Sequence, residues 1–262
     1  MQVRSWPRLL VRLAGFLLAT VLFLGTLAWF FAVPLEARYW ARQVPVLRLT
    51  PAPIRDSSVT ESTGQKITFC GSTFEIPWSD LNDAKTKTGV NSTIFYFDSG
   101  LVTLLKCQPP REFVEGVLSS TKMKSESFRR AFGDSVVASD YELTRQMLET
   151  TPDAINARAH DRQGPLMVML VLKAMSTPPA DSGIFVIHTD EFDGFQYEDP
   201  RARPYRILMT LFAADRGLEF QFFLKYQGAS VNVSQADINR IVRTVHKVAP
   251  YTPPASLTQS RN

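Results

Sequence analysis

The stretch "YRILMTLFAADRGLEFQFFLKY", Tyr205 to Tyr226, decides the fold. Two apolar runs flank Asp215-Arg216-Gly217, residue types that suit a turn. In the second run Phe220, Phe222, Leu224 and Tyr226 alternate with Glu219, Gln221 and Lys225. Successive strand side chains point to opposite faces, so this period predicts a strand with one buried face. Upstream, "GIFVIHTD" and "GFQYED" are two more strand candidates, and the last third reads as an antiparallel meander.

Downstream, a helix is predicted from Ser234, with Asp237 completing a capping box. Ile238, Ile241, Val242, Val245 and Val248 form its apolar stripe, and Arg240, Arg243 and Lys247 form a solvated basic face. Further upstream lies a second group of strands, "KITFC", "STFEIP", "STIFYFD" and "LVTLLKC", the last two joined through Asp98-Ser99-Gly100. Between the two groups the pattern turns helical. Phe113, Val114, Val117 and Leu118 recur at helical spacing after Pro109-Pro110, and Ser139 with Glu142 stands in capping register. Thr151-Pro152-Asp153 opens a further helical turn. "PLMVMLVLKAM", Pro165 to Met175, is apolar on nearly every side; its length and its Leu, Met, Lys and Ala content favour a buried helix. These elements predict an α+β domain with helices packed on a mainly antiparallel sheet, over residues 66–248.

Residues 13–33, "LAGFLLATVLFLGTLAWFFAV", carry no charge. As a helix they span about 31 Å, matching a bilayer core of about 30 Å. Arg4, Arg8 and Arg12 lie in the short basic arm, residues 1–12, and Trp29, Phe30 and Phe31 close the run as an interfacial belt. A cleaved signal needs small residues at its exit, and "AWFFAVPLEA" supplies bulky ones, so the run reads as an uncleaved single-pass anchor. Arg38, Arg42 and Arg48 follow it and nearly balance the positive-inside count; the short arm sets the expectation that the body lies outside the cytoplasm. Residues 34–65 read as a juxtamembrane linker with an interfacial segment around Tyr39-Trp40, and residues 249–262 as a disordered, proline-rich tail.

Cys70 and Cys107 are the only cysteines. An even pair ending two strand-like runs predicts a disulfide and an oxidising compartment. It would close a loop worth about 3–4 kcal/mol in the loop-entropy model. The formal net charge is +4, of which the three N-terminal arginines carry most, so the body is near neutral and has no footprint for nucleic acid. The element order over Lys66 to Val248 resembles the PsbP-like α/β/α sandwiches. That resemblance implies an accessory or binding module and assigns no site residues.

In "AFGDSVVASD", Ala131 to Asp140, Gly133-Asp134-Ser135 is similar to the nucleophile turn of GDS hydrolases. Those enzymes place the serine after a core strand and an Asp-x-x-His near the end. Here "SESFRRAF" is helical, and none of His160, His188 and His246 has an aspartate three residues before it. Ser135 is instead expected in a helix-ending turn, with Gly133 in the left-handed conformation. Asp190, Glu191, Asp193, Glu198 and Asp199 cluster, but an EF-hand register puts Thr189 and Pro200 at ligand positions, so a polar hairpin turn is expected. His188 reads as a structural histidine. Phe95, Tyr96, Phe97, Phe220, Phe222 and Phe223 read as sheet core, with an apolar ligand groove as the alternative. No catalytic residue, cofactor or metal ligand is assigned. The expected function is a non-catalytic binding or assembly module, anchored in the plasma (inner) membrane with its domain periplasmic or extracellular. Its partners are the bilayer, through residues 13–33, and a membrane protein. The alternatives are a small-ligand or lipid-binding domain and a hydrolase whose site assembles only in the fold.

Overall fold

The computed structural model describes residues 6–61, 63–121, 123–177, 183–198, 206–224 and 233–251. Its strands are β1 (Ala52–Pro53), β2 (Gln65–Phe69), β3 (Ser72–Ile76), β4 (Lys87–Thr88), β5 (Ser92–Tyr96), β6 (Leu101–Gln108), β7 (Ile184–His188), β8 (Asp193–Tyr197), β9 (Arg206–Ala213), β10 (Arg216–Leu224) and β11 (His246–Lys247). Its helices are α1 (Trp6–Gln43), α2 (Glu112–Thr121), α3 (Ser125–Phe132), α4 (Asp134–Ala138), α5 (Asp140–Glu149), α6 (Gln163–Ser176) and α7 (Gln235–Thr244).

The meander forms as its alternation predicts: β7, β8, β9 and β10 pair in sequence, all antiparallel. β10 then takes β6 on its other edge, with Phe220 opposite Leu105. The main sheet has the order β1-β7-β8-β9-β10-β6-β5-β4, and only β1 runs parallel to its neighbour. A small sheet, β11-β3-β2, is hydrogen-bonded separately and packs on the main one. The β5–β6 hairpin closes on Gly100, at φ +93, whose N–H donates to the Phe97 carbonyl. At the centre, a Cβ on Gly194 would run into the Thr210 carbonyl, so β8 and β9 approach there only because the residue is glycine.

β10 does not have the single buried face that its alternation predicts. Leu218, Phe220 and Phe222 face α7 and β3, and Gln221 on the other face is buried too. The sheet is covered on both sides. On one side Phe74 packs edge-on against Phe220, and Trp78 against Phe97 and Phe222, with Ile238 and Ile241 of α7 above. On that face Phe97, Phe220 and Phe222 are packed core, and Phe95 is core that also borders a cavity beside Cys107; Phe223, on the other face, has the Arg206 guanidinium over its ring. On the second side Phe195, Tyr197, Leu208 and Phe212 carry Val114 and Val117 of α2, Phe128 of α3 and Met147 of α5.

"PLMVMLVLKAM" is helical, within α6. Its Leu166 and Leu170 face α1, where Ala37 and Ala41 are fully or almost fully buried beside Leu47 and Ile155. Here the structure differs from the linker expected over residues 34–65. The chain stays helical to Gln43, turns through a 3-10 segment at Pro45–Arg48, and pairs as β1. The small side chains of Ala37 and Ala41 allow close helix contact without a strong hydropathy signal. α1 also bends by 44° between Leu18–Leu27 and Phe31–Gln43. Pro34 lies inside the helix, lacks an N–H for the Phe30 carbonyl and crowds that turn. Among the described residues no single helix is long and apolar enough to cross a membrane; the two halves of this bent pair meet the length and composition of a span only when taken together.

At the C-terminal end, Ser234 and Asp237 make the predicted capping box. α7 stops at Thr244, so Val248 leaves the stripe and is exposed. The basic face is not simply solvated: Arg240 pairs with Glu75 at 2.6 Å and donates to the Thr60 carbonyl. Lys225, Tyr226, Asp199, Pro200, Arg201, Arg203 and the tail beyond Tyr251 lie outside the described residues.

Candidate functional site

Ser135 comes first among the sequence candidates. Gly133 does end α3, but at φ +93 and ψ +171, an extended glycine conformation rather than the left-handed helical one. The chain re-enters a helix at once, so Ser135 sits exposed in the first turn of α4, not in a turn. No described histidine bonds to it: His188 pairs with Asp193, and His246 with Glu191 at 3.1 Å. The acidic stretch forms the β7–β8 turn, closed by the Thr189 N–H and hydroxyl on the Phe192 carbonyl. Among the described residues no three His, Cys, Asp or Glu side chains converge as metal ligands.

Cys70 and Cys107 are bridged, with Cα atoms 5.9 Å apart. The bridge ties the β2–β3 turn to β6 and so joins the small sheet to the main one. Cys70 takes φ +54 and Gly71 φ +65, a tight turn of two left-handed residues. Arg216, 1% exposed, reaches into this corner. Its guanidinium donates to the carbonyls of Cys70 (2.5 Å) and Ala249 (2.6 Å) and pairs with Asp215. The pairing with Arg216, ahead of the Tyr251 N–H, holds the Asp215 carboxyl below its ordinary value. A cavity of about 570 Å³ opens beside the bridge.

A second polar corner, about 480 Å³, is lined by Arg111, Asp140, Tyr141, Glu191 and Asp193. Its buried carboxylate has a structural duty. Asp140 accepts from the Val114 N–H at 2.9 Å and caps α2 from a neighbouring helix, because Arg111 at the helix start has no capping oxygen. Burial raises the Asp140 pKa against those backbone bonds.

Lys173 is the least expected group, fully buried on α6. Its ammonium donates to the carbonyls of Leu49 (2.6 Å), Leu148 (2.7 Å) and Thr150 (2.9 Å). Burial brings its pKa down to about 8, which leaves it a cation at neutral pH. A cation at the C-terminal end of α5 satisfies carbonyls that the helix itself leaves open.

The cleft with the best chemistry for a ligand lies between the helical layer and the sheet, about 490 Å³. Leu208, Phe212 and Tyr197 form its floor, and Phe113, Met147 and Leu172 its apolar walls. It exists because α2 presents Gly116 and Ser120 there; a Cβ on Gly116 would meet nothing within 4 Å. One edge is polar, with Gln108, Thr210 and Glu219. Glu219, its side chain 15% exposed, faces Lys106 at 3.7 Å and accepts from the Gln221 amide. Burial, and then the Glu219 charge, push the Tyr197 phenol well above its ordinary value, so it stays a neutral donor. The arrangement offers an apolar floor, several hydroxyls and two carboxylates, the exposed Glu112 and the shielded Glu219. It can hold a small amphiphilic molecule, and no nucleophile in it is paired with a described base.

None of these cleft residues stands out in the sequence, since they come from seven elements. Lys173 had one signal, a lone lysine inside an apolar run. Arg216 had none, because a charged residue in an Asp-Arg-Gly turn reads as solvated. Comparison with protein-family models, curated proteins and solved structures returned no match.

Proposed function

We propose that this chain is a membrane-anchored, non-catalytic binding module, held by residues 13–33, that receives a small apolar or amphiphilic ligand between α2 and β9. The observation behind this reading is the cleft itself: a mostly apolar floor, one shielded carboxylate at its rim and open space above Gly116. Such sites take their affinity from apolar area and their orientation from a few polar groups. The bilayer end of α1 supports the anchor, with Leu18, Val21, Leu22 and Phe23 all strongly exposed. The Cys70–Cys107 bridge supports a body outside the cytoplasm. Helices on both faces of an antiparallel sheet keep the kinship with PsbP-like sandwiches within the same proposal.

The test is native mass spectrometry of the full chain purified in detergent, wild type beside Gly116→Trp. The indole would fill the cleft from a position with free space around it. The expected result is one retained small-molecule adduct per wild-type chain and none on the variant. No adduct on the wild type, or the same adduct on both, would count against the cleft as a ligand site.

A further inference from the structure

We infer that the second half of α1 leaves the bilayer obliquely through the headgroup region, with Phe31, Leu35 and Tyr39 turned into the lipid and the globular body clamped to its other side. This inference rests on the anchored reading above. Phe31, Leu35 and Tyr39 are 47%, 62% and 58% exposed, although each is large and apolar or amphipathic. They recur every four residues, about 40° apart around a helix of 3.6 residues per turn, and so form one stripe. On the same segment Ala37 and Ala41 are buried against Leu166, Leu170 and Ile155. The body thus covers one face and leaves the opposite, apolar face bare.

Three observations say what covers it. The stripe continues directly from the exposed apolar run Leu18–Leu27, whose occupant under the anchored reading is lipid. The 44° bend between Leu27 and Phe31 tilts the helix away from the axis of that run, so the segment leaves the bilayer at a slant with one face kept toward the lipid. Arg38 and Arg42, both exposed, flank and end the stripe, where their stems can run over acyl chains and their heads reach lipid phosphates. Exposed Glu36 lies toward the other border. Surface-lying amphipathic helices sink their apolar faces about 5–10 Å into the headgroup and acyl boundary, and anionic lipid adds to their binding. A tyrosine at this depth is typical of an interfacial belt.

The experiment uses the full chain in vesicles of phosphatidylethanolamine and phosphatidylglycerol. Leu35→Cys, Tyr39→Cys and, as a body control, Val90→Cys (Val90 is 71% exposed) each carry an environment-sensitive thiol dye. The bridged Cys70 and Cys107 take none. Nitroxides placed shallow in the lipid should quench the dyes at positions 35 and 39 several-fold more than an aqueous quencher does, with the order reversed at position 90. Alkaline carbonate extraction of the same vesicles is read in parallel. A chain that washes off overturns the anchor and this inference together. A chain that stays, with positions 35 and 39 open to the aqueous quencher, overturns the inference alone. Dyes shielded from both quenchers would mean a protein covers the stripe, and would overturn the lipid assignment.

Discussion

Removing the Cys70–Cys107 bridge, by Cys70→Ala with Cys107→Ala, tests how the two sheets are held together. The bridge spans a sequence separation of 37. The loop-entropy model assigns a cross-link of that span about 3.8 kcal/mol, drawn from the unfolded chain. In a domain of this size 1 kcal/mol moves the melting temperature by about 2–4 °C, so a fall of about 8–15 °C is expected. The assay is thermal unfolding of the full chain in detergent micelles, followed by near-ultraviolet circular dichroism, with reductant on the wild type as a second route. A fall below about 2 °C by both routes would refute the reasoning. A further arm asks whether the corner acts as one unit. Arg216 donates to the Cys70 carbonyl and to the Ala249 carbonyl, so it holds the same turn as the bridge. Once one clamp is gone the other holds a loosened turn. Arg216→Met and the cysteine pair together should therefore cost at least about 1 kcal/mol less than their separate losses added; additivity within about 0.5 kcal/mol would show two independent clamps.

Lys173 predicts a pH dependence. Its folded pKa of about 8 lies below the ordinary lysine value of 10.5, so between these values the unfolded chain binds more protons. Stability should rise with pH across that window by up to about 1.4 kcal/mol per unit, and urea titrations of Lys173→Met should lack that slope. Gly116→Ala should stabilise by about 0.5–1 kcal/mol, because its Cβ meets open space in a helix, whereas Gly194→Ala should destabilise by more than about 1 kcal/mol through its clash with the Thr210 carbonyl. Equilibrium unfolding of both checks this contrast, and two small effects of the same sign would contradict it. Ser234→Ala removes the acceptor for the Asp237 N–H at 3.2 Å and should cost about 1 kcal/mol in the same assay, against about none for Ser135→Ala on the exposed turn of α4.

Much of this architecture is legible before any coordinates. Alternation in β9 and β10 is a local property, and local chemistry also marks the caps at Ser139 and Ser234 and the turn at Gly100. The disulfide follows from two cysteines ending two strands. What stays hidden depends on distant neighbours. That Gln221 is buried follows only from the packing over β10, and that Arg240 is held follows only from Glu75, 165 positions away. Ala37 and Ala41 carry too little hydropathy to announce a packed helix, so the segment after the apolar run reads as a spacer. The cleft is hidden for the same reason: its openness is made by Gly116, and an absent side chain has no pattern.

The three bonds of Lys173 also have a mechanical meaning. The Leu49 carbonyl belongs to the C-cap residue of the 3-10 segment that follows α1, and the other two belong to the end of α5 and its cap. A pull on α1 is therefore passed to the helical layer through one ammonium and a patch of alanine and leucine contacts. β1 offers only two residues of pairing on β7, so little of that load reaches the sheet directly. The helices take the strain first, and the pleated layer with its bridged corner is the last part to feel it.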